Sequence, residues 1–190
     1  SIYEQGDQRK GEDMPVHKKP TFLDSSIGQL GFVVENVDAM IQSYFENFGI
    51  GDWKVYTYGP QLLSLMTYKG EPTSYSSRIA LGYFGSTRVE LIQPLEGRTV
   101  YSDFIENHGY GLQHLGIYVQ DMKSSLEIVK QQGISVLMEG GGFGLDGDGH
   151  YAYLDTEKTY GICYELIQRP LRRHEPESVY PPLDNASSRA

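Results

Sequence analysis

The chain has a single cysteine, Cys163, so no disulfide can close within it, and a reducing compartment, the cytoplasm, is the expectation. Basic residues are few: 16 Lys and Arg stand against 25 Asp and Glu, a formal net charge of −9. That balance argues against a nucleic-acid backbone or an anionic membrane as the main partner. No apolar run approaches the roughly 20 residues of a spanning helix, and the amino terminus is not signal-like. A Gly-x-Ser-x-Gly elbow is also missing. The glycine-rich run from Gly140 to Gly149 has no lysine and leads into a strand rather than a helix, which excludes a P-loop. A mobile loop over a cleft is expected there instead. Cys163 reads as a small packed residue, not a nucleophile.

What is present suits one packed domain, or two small modules sharing a core, with 39% hydrophobic and 22% charged residues. Fifteen tyrosines suggest aromatic pocket walls or interfaces. One unit occurs twice. Gln29–Val37 aligns with His114–Met122 so that leucine, glycine and valine recur in register. Asn36 and Asp121 both suit a helix N-cap in that alignment, and Gln29 falls opposite His114. A second match is sharper: Glu90-Leu91-Ile92-Gln93 recurs letter for letter as Glu165-Leu166-Ile167-Gln168.

Periodicity predicts a buried strand over Ile27–Val34, then a helix from Asn36 to about Phe48, ended by Gly49 and Gly51. Strands follow at Trp53–Tyr58, Arg78–Phe84 and Thr87–Gln93, the last two joined at Gly85-Ser86. Pro60 to Ser77 reads equally as strand or half a helix. A connecting helix is expected over Thr99–His108. The second unit repeats the order, with a strand at Gln113–Val119, a helix from Met122 to about Gln132, and strands at Ile134–Met138, His150–Asp155 and Gly161–Gln168. The expected fold class is α+β, two β-α-β-β-β modules forming a curled mixed sheet around a shared metal cleft. The expected division is an extended arm over 1–25, modules over 26–97 and 112–170 joined by a helix over 98–111, and a second arm over 171–190. The second arm offers Val179-Tyr180-Pro181 for burial, which favours wrapping a partner subunit, and a homodimer is expected. His17 and His174 read as solvated tail residues.

Gln29 and Glu90, then His114 and Glu165, occupy equivalent strand positions in the two copies. Alternation puts Leu112, His114, Gly116 and Tyr118 on one face, and Cys163, Glu165 and Ile167 on one face of theirs. Leu91, Leu115 and Leu166 then point to the opposite, helix-covered side. Two glutamates facing a concave interior are costly to bury unless paired or metal-bound, so a metal at the four residues is favoured over a solvated polar face.

Paired units with ligands at these four places resemble the vicinal oxygen chelate superfamily, the glyoxalase fold, over about residues 26–169. The run from Phe104 to Leu115 following Glu90–Leu95 is most similar to methylmalonyl-CoA epimerases, and the set Gln29, Glu90, His114, Glu165 to animal-type glyoxalase I. Gln29 departs from the two-histidine, one-carboxylate site of extradiol dioxygenases, and bleomycin-binding relatives carry no such set. Val33 and Pro94 stand where glyoxalase I anchors glutathione. The epimerases have histidine as first ligand and a second carboxylate base in the first unit, for which Glu71 is the nearby candidate.

The resemblance implies one divalent metal ion, Co²⁺, Ni²⁺, Zn²⁺, Mn²⁺ or Mg²⁺, held by Gln29, Glu90, His114 and Glu165. It implies proton abstraction alpha to a carbonyl with the enolate stabilised on the metal, of isomerase or epimerase type. A glyoxalase-like lyase and a non-enzymatic binding protein are the alternatives. The substrate is expected to be a small carbonyl compound, a thioester among the candidates. Arg88 and Tyr118 share the substrate face. Glu90 and Glu165 are the catalytic candidates, and Glu165 is preferred as base. Arg88 is expected to hold Glu90 ionised, whereas apolar Cys163 and Ile167 flank Glu165 and raise its basicity.

Overall fold

The protein is described by a computed structural model over residues 27–183; the arm expected over 1–25, His17 and the last residues of the carboxy-terminal arm lie outside the described residues. The first unit contains β1 (Ile27–Val33), α1 (Val37–Phe48), β2 (Trp53–Tyr58), an inserted hairpin of β3 (Leu65–Tyr68) and β4 (Glu71–Pro72), β5 (Ser76–Phe84) and β6 (Thr87–Glu96). After α2 (Val100–His108) come β7 (Gly111–Tyr118), α3 (Met122–Gln131), β8 (Val136–Phe143), β9 (Gly149–Leu154), the short α4 (Glu157–Tyr160), β10 (Cys163–Gln168) and β11 (Ser178–Tyr180). The strands form one mixed sheet in the order β11-β2-β5-β6-β1-β7-β10-β9-β8-β3-β4. The sheet curls into a half-barrel, the fold class expected.

The halves meet where β1 pairs antiparallel with β7, while β1 with β6 and β7 with β10 are parallel. The repeated four-residue string explains itself here. Leu91 and Leu166 point outward into two separate cores, the first beneath α1 with Val37 and Ile41, the second beneath α3 with Met122 and Val129. Ile92 points inward, into the concave core that α2 covers with Val100 and Tyr101. Gln93 and Gln168 each accept, through Oε1, the first backbone N–H of the helix in their own unit, Val37 N at 3.1 Å and Met122 N at 2.6 Å. Asn36 and Asp121 cap the same two helices, accepting from Ala39 N at 2.8 Å and Ser124 N at 2.7 Å. The glutamate of each string faces the cleft.

Four findings differ from expectation. The stretch from Pro60 to Ser77 takes the strand alternative at β3, but β3 pairs antiparallel with β8, so the first unit extends the outer edge of the second. The carboxy-terminal segment does the reverse, β11 pairing antiparallel with β2 of its own chain. Each open edge is thereby covered by a strand from the other unit. The run Gly140–Gly149 is a loop only over residues 144–148. Its first glycines belong to β8, and a Cβ on Gly140 would lie 2.2 Å from the Tyr151 ring on the paired strand. The helix α4 also went unread, since four residues carry no period.

Leu91 and Leu166 are fully buried in equivalent places. Replacing either by alanine is expected to cost about 2–5 kcal/mol, measured by urea unfolding.

Candidate metal centre

Gln29, Glu90, His114 and Glu165 converge on the concave face although 136 residues separate the first from the last. They are buried, with exposures of 1%, 8%, 0% and 3%. Gln29 Nε2 donates to Glu90 Oε2 at 2.8 Å and to Glu165 Oε2 at 3.0 Å, and lies 3.1 Å from His114 Nε2. His114 Nε2 is 3.0 Å from Glu165 Oε2 and 3.4 Å from Glu90 Oε2. Ligand atoms of Glu90, His114 and Glu165 all lie within 4.8 Å of one another.

The repeated glycines make this meeting possible. Across the β1–β7 pair, Gly31 sits opposite His114 and Gly116 opposite Gln29. A Cβ on Gly31 would lie 1.8 Å from His114 Cε1, and one on Gly116 would lie 2.8 Å from Gln29 Cβ. Each unit therefore keeps a glycine to admit the other unit's site residue.

A bulge also contributes, and it corrects the expected strand face. The β1–β7 register passes from Gly31↔His114 to Phe32↔Leu112, leaving Gln113 as the extra residue. Gln113 and His114 are both buried, whereas Leu112 is exposed instead of sharing the face of His114. Gln113 Oε1 lies 2.7 Å from His114 Nδ1, an arrangement that directs Nε2 at the cluster. Its role was not foreseen, because a bulge leaves no mark in a single sequence. Tyr153 was missed as well. Its ring packs edge-on against His114 at 5.1 Å between centroids, and its hydroxyl pairs with that of Tyr101 at 2.8 Å.

Arg88 is buried too, but its Nε donates to Gln29 Oε1 at 2.6 Å, so it reaches Glu90 only through Gln29. The expectation that Arg88 directly holds Glu90 is corrected accordingly. Tyr118 lies between the guanidinium groups of Arg88, 5.2 Å from its ring, and Arg169, at 4.3 Å, with its hydroxyl donating to Gly28 O at 3.1 Å. Glu71 lies in the edge strand β4 and is exposed. Cys163 packs in the concave core, and burial pushes its thiol up to about 12, which suits packing and not nucleophilic attack.

Burial pulls the His114 pKa down, but Glu165 and Glu90 outweigh it and push the imidazole up to about 9. Burial raises the Glu165 carboxyl against the pull of His114, and Glu90 adds to the rise. Two carboxylates, an imidazole and one neutral amide form a cluster that a proton now holds together and that a divalent cation would suit. Glu90, His114 and Glu165 present the fitting donors. Gln29 turns its oxygen to Arg88, so joining them as a fourth ligand requires its amide to turn over and Arg88 to move, since two donors would otherwise face each other.

Residues 28–153 match the family model described as the Glyoxalase/Bleomycin resistance protein/Dioxygenase superfamily. The chain belongs to this superfamily. The methylmalonyl-CoA epimerase of Mycobacterium tuberculosis is similar in fold, with 20% identity, a TM-score of 0.54, and 80% of this chain and 93% of that one covered. The Streptomyces coelicolor methylmalonyl-CoA epimerase in complex with 2-nitronate-propionyl-CoA has 17% identity, a TM-score of 0.57, and coverages of 75% and 96%. The uncharacterized protein YqjC of Bacillus subtilis is 23% identical over 105 residues, 54% of this chain and 74% of its own length. Among the described residues no helix is long and apolar enough to cross a membrane.

Gly31→Ala is expected to displace His114 and weaken Co²⁺ binding by about tenfold or more, measured by calorimetric titration. Because the folded pKa of His114 exceeds its unfolded value of 6.5, its contribution to stability is fully present below 6.5 and lost as pH rises through about 9. The raised Glu165 carboxyl acts in the same sense. Metal-free protein is therefore expected to unfold at lower urea concentration as pH rises across that window, and Co²⁺-loaded protein to resist the change.

Proposed function

We propose that the protein is a divalent-metal-dependent isomerase or epimerase that removes and returns a proton beside the carbonyl of a small molecule. The observation that carries this reading is the buried Glu90, His114 and Glu165 cluster, whose ligand atoms lie within 4.8 Å of one another and whose two glutamates line one small cavity with Gln29 and Arg88. A bound Co²⁺, Ni²⁺, Zn²⁺, Mn²⁺ or Mg²⁺ would supply Lewis acidity toward the carbonyl. Glu90, His114 and Glu165 would hold it, with Gln29 as the fourth ligand once its amide has turned.

Glu165 is the base in this reading. Burial and the neighbouring Glu90 both favour a proton on Glu165, and proton transfer goes best when the pKa of the base approaches the working pH. Glu90 shares the cluster, is somewhat less buried, and serves as the fixed carboxylate. His114, directed by Gln113, keeps Nε2 toward the site. Arg88 orients Gln29, and with Tyr118 forms the substrate-facing wall. The fold of the similar epimerase structures, one of which holds 2-nitronate-propionyl-CoA, supports a carbonyl substrate of this kind. A glyoxalase-like lyase is less well served: Val33 is fully buried and Pro94 has no N–H, so neither position offers glutathione a donor. A cytoplasmic setting, as a homodimer, completes the reading.

Glu165→Gln is expected to keep most of the metal while proton exchange falls by roughly 10²–10⁴-fold. Deuterium wash-in from heavy water, with methylmalonyl-CoA and a series of 2-oxo acids as probes, is the measurement. Wild-type exchange in Glu165→Gln together with its loss in Glu90→Gln would assign the base to the other carboxylate.

A further inference from the structure

Beyond β10 the chain does not leave the cleft. From Pro170 it crosses from the β8–β9 turn to β2, and it is fastened at both ends. On the second unit, Leu145 N donates to Arg172 O at 2.9 Å, Leu171 N to Asp148 Oδ2 at 3.0 Å, and Arg172 Nε to Asp146 Oδ2 at 2.9 Å. On the first unit, Thr57 N donates to Glu177 Oε1 at 2.7 Å and Glu177 N to Val55 O at 2.9 Å, after which β11 joins β2. The two adjacent arginines of this strap have different surroundings. Arg172 is largely exposed and ion-paired with Asp146. Arg173 is half-buried, donates from Nη1 to the Tyr58 hydroxyl at 3.1 Å, and lines the cavity that also holds Arg88, Glu90 and Glu165.

Neither Arg88 nor Arg173 makes an ion pair among the described residues, although both line a cavity that Glu90 and Glu165 also line. A guanidinium without a carboxylate partner, held beside a reaction site, is a receptor for an anionic oxygen pair. The cavity beneath the strap measures about 20 Å³, room for a water or two. Arg173 bounds one side of that cavity, so the strap leaves little room there for a bulky group.

We propose that Arg173, carried by the 170–180 strap, is the residue that recognises a carboxylate on the substrate, so that the site takes small carbonyl compounds bearing a carboxylate, such as 2-oxo acids, in preference to bulky carrier thioesters. The proposal rests on the metal-centre reading above. The strap lies beyond β10, the last strand of the second repeated unit.

The test uses Co²⁺-loaded full-length protein and two probes titrated calorimetrically. Oxalate offers two vicinal oxygens to a metal and two outer oxygens to a guanidinium, whereas acetohydroxamate offers the vicinal oxygens alone. Arg173→Ala is expected to weaken oxalate by about tenfold or more and to leave acetohydroxamate within about twofold, with Arg173→Lys between. Visible absorption of bound Co²⁺ confirms that each variant keeps its metal. Arg173→Gln, which retains a donor for Tyr58, replaces the alanine variant if that one fails to fold. Equal weakening of both probes, or of neither, overturns the role of Arg173 and leaves the metal centre standing. A wild type that takes up no Co²⁺ and binds neither probe removes the metal centre, and this proposal with it.

Discussion

Where β1 runs antiparallel to β7, the backbones of the two halves come close enough that only glycine fits opposite each site residue. Gly31 lies under the His114 ring and Gly116 under the Gln29 chain, so the two halves exchange space across their shared seam. A one-residue slip of this pairing would turn His114 and Gln29 away from the cleft and bring Leu30 and Leu115 into it. The parallel neighbours β6 and β10 then carry Glu90 and Glu165 to the same centre. The site is a consequence of that one seam.

Gathering two carboxylates and a histidine in a buried place is unfavourable on its own, and the surroundings show how it is borne. The Gln29 amide spreads its two N–H bonds over both carboxylates, Gln113 holds the far side of the imidazole, and a proton is retained by His114 into the alkaline range. Around this cluster lies a shell of tyrosines, Tyr101 paired with Tyr153 and Tyr75 with Tyr151, each pair at 2.8 Å between hydroxyls. Burial keeps these phenols neutral, so they fill the concave core without adding charge to it. Six tyrosines, these four with Tyr56 and Tyr58, are buried in the concave core.

Two short segments outside the repeated units give the molecule its individual character. The β3–β4 hairpin leaves the first unit to edge the second, and β11 leaves the second to edge the first. Both cover backbone edges that would otherwise invite pairing with another chain. The second of them also drags residues 170–177 over the cleft, so that covering an edge and covering the site are one structural event.

The sequence by itself determined the repeat, the helix caps, the glutamates' placement and the choice of His114 over the tail histidines. These are local or periodic properties: strand parity, cap chemistry and a duplicated string survive without knowledge of what packs where. It also determined that Leu91 and Leu166 face outward, because alternation along a regular strand needs no partner. Tertiary structure alone decided the rest. The bulge at Gln113 breaks that alternation for a reason lying on the paired strand. Gly140 is a strand residue because the Tyr151 ring occupies its side-chain space, not because the chain turns there. Arg88 bonds to Gln29 because β1 and β6 are neighbours, and Arg173 reaches the cleft because β11 finds an edge more than a hundred residues away. Each of these depends on a contact between distant segments, and composition and spacing do not encode which distant segments meet.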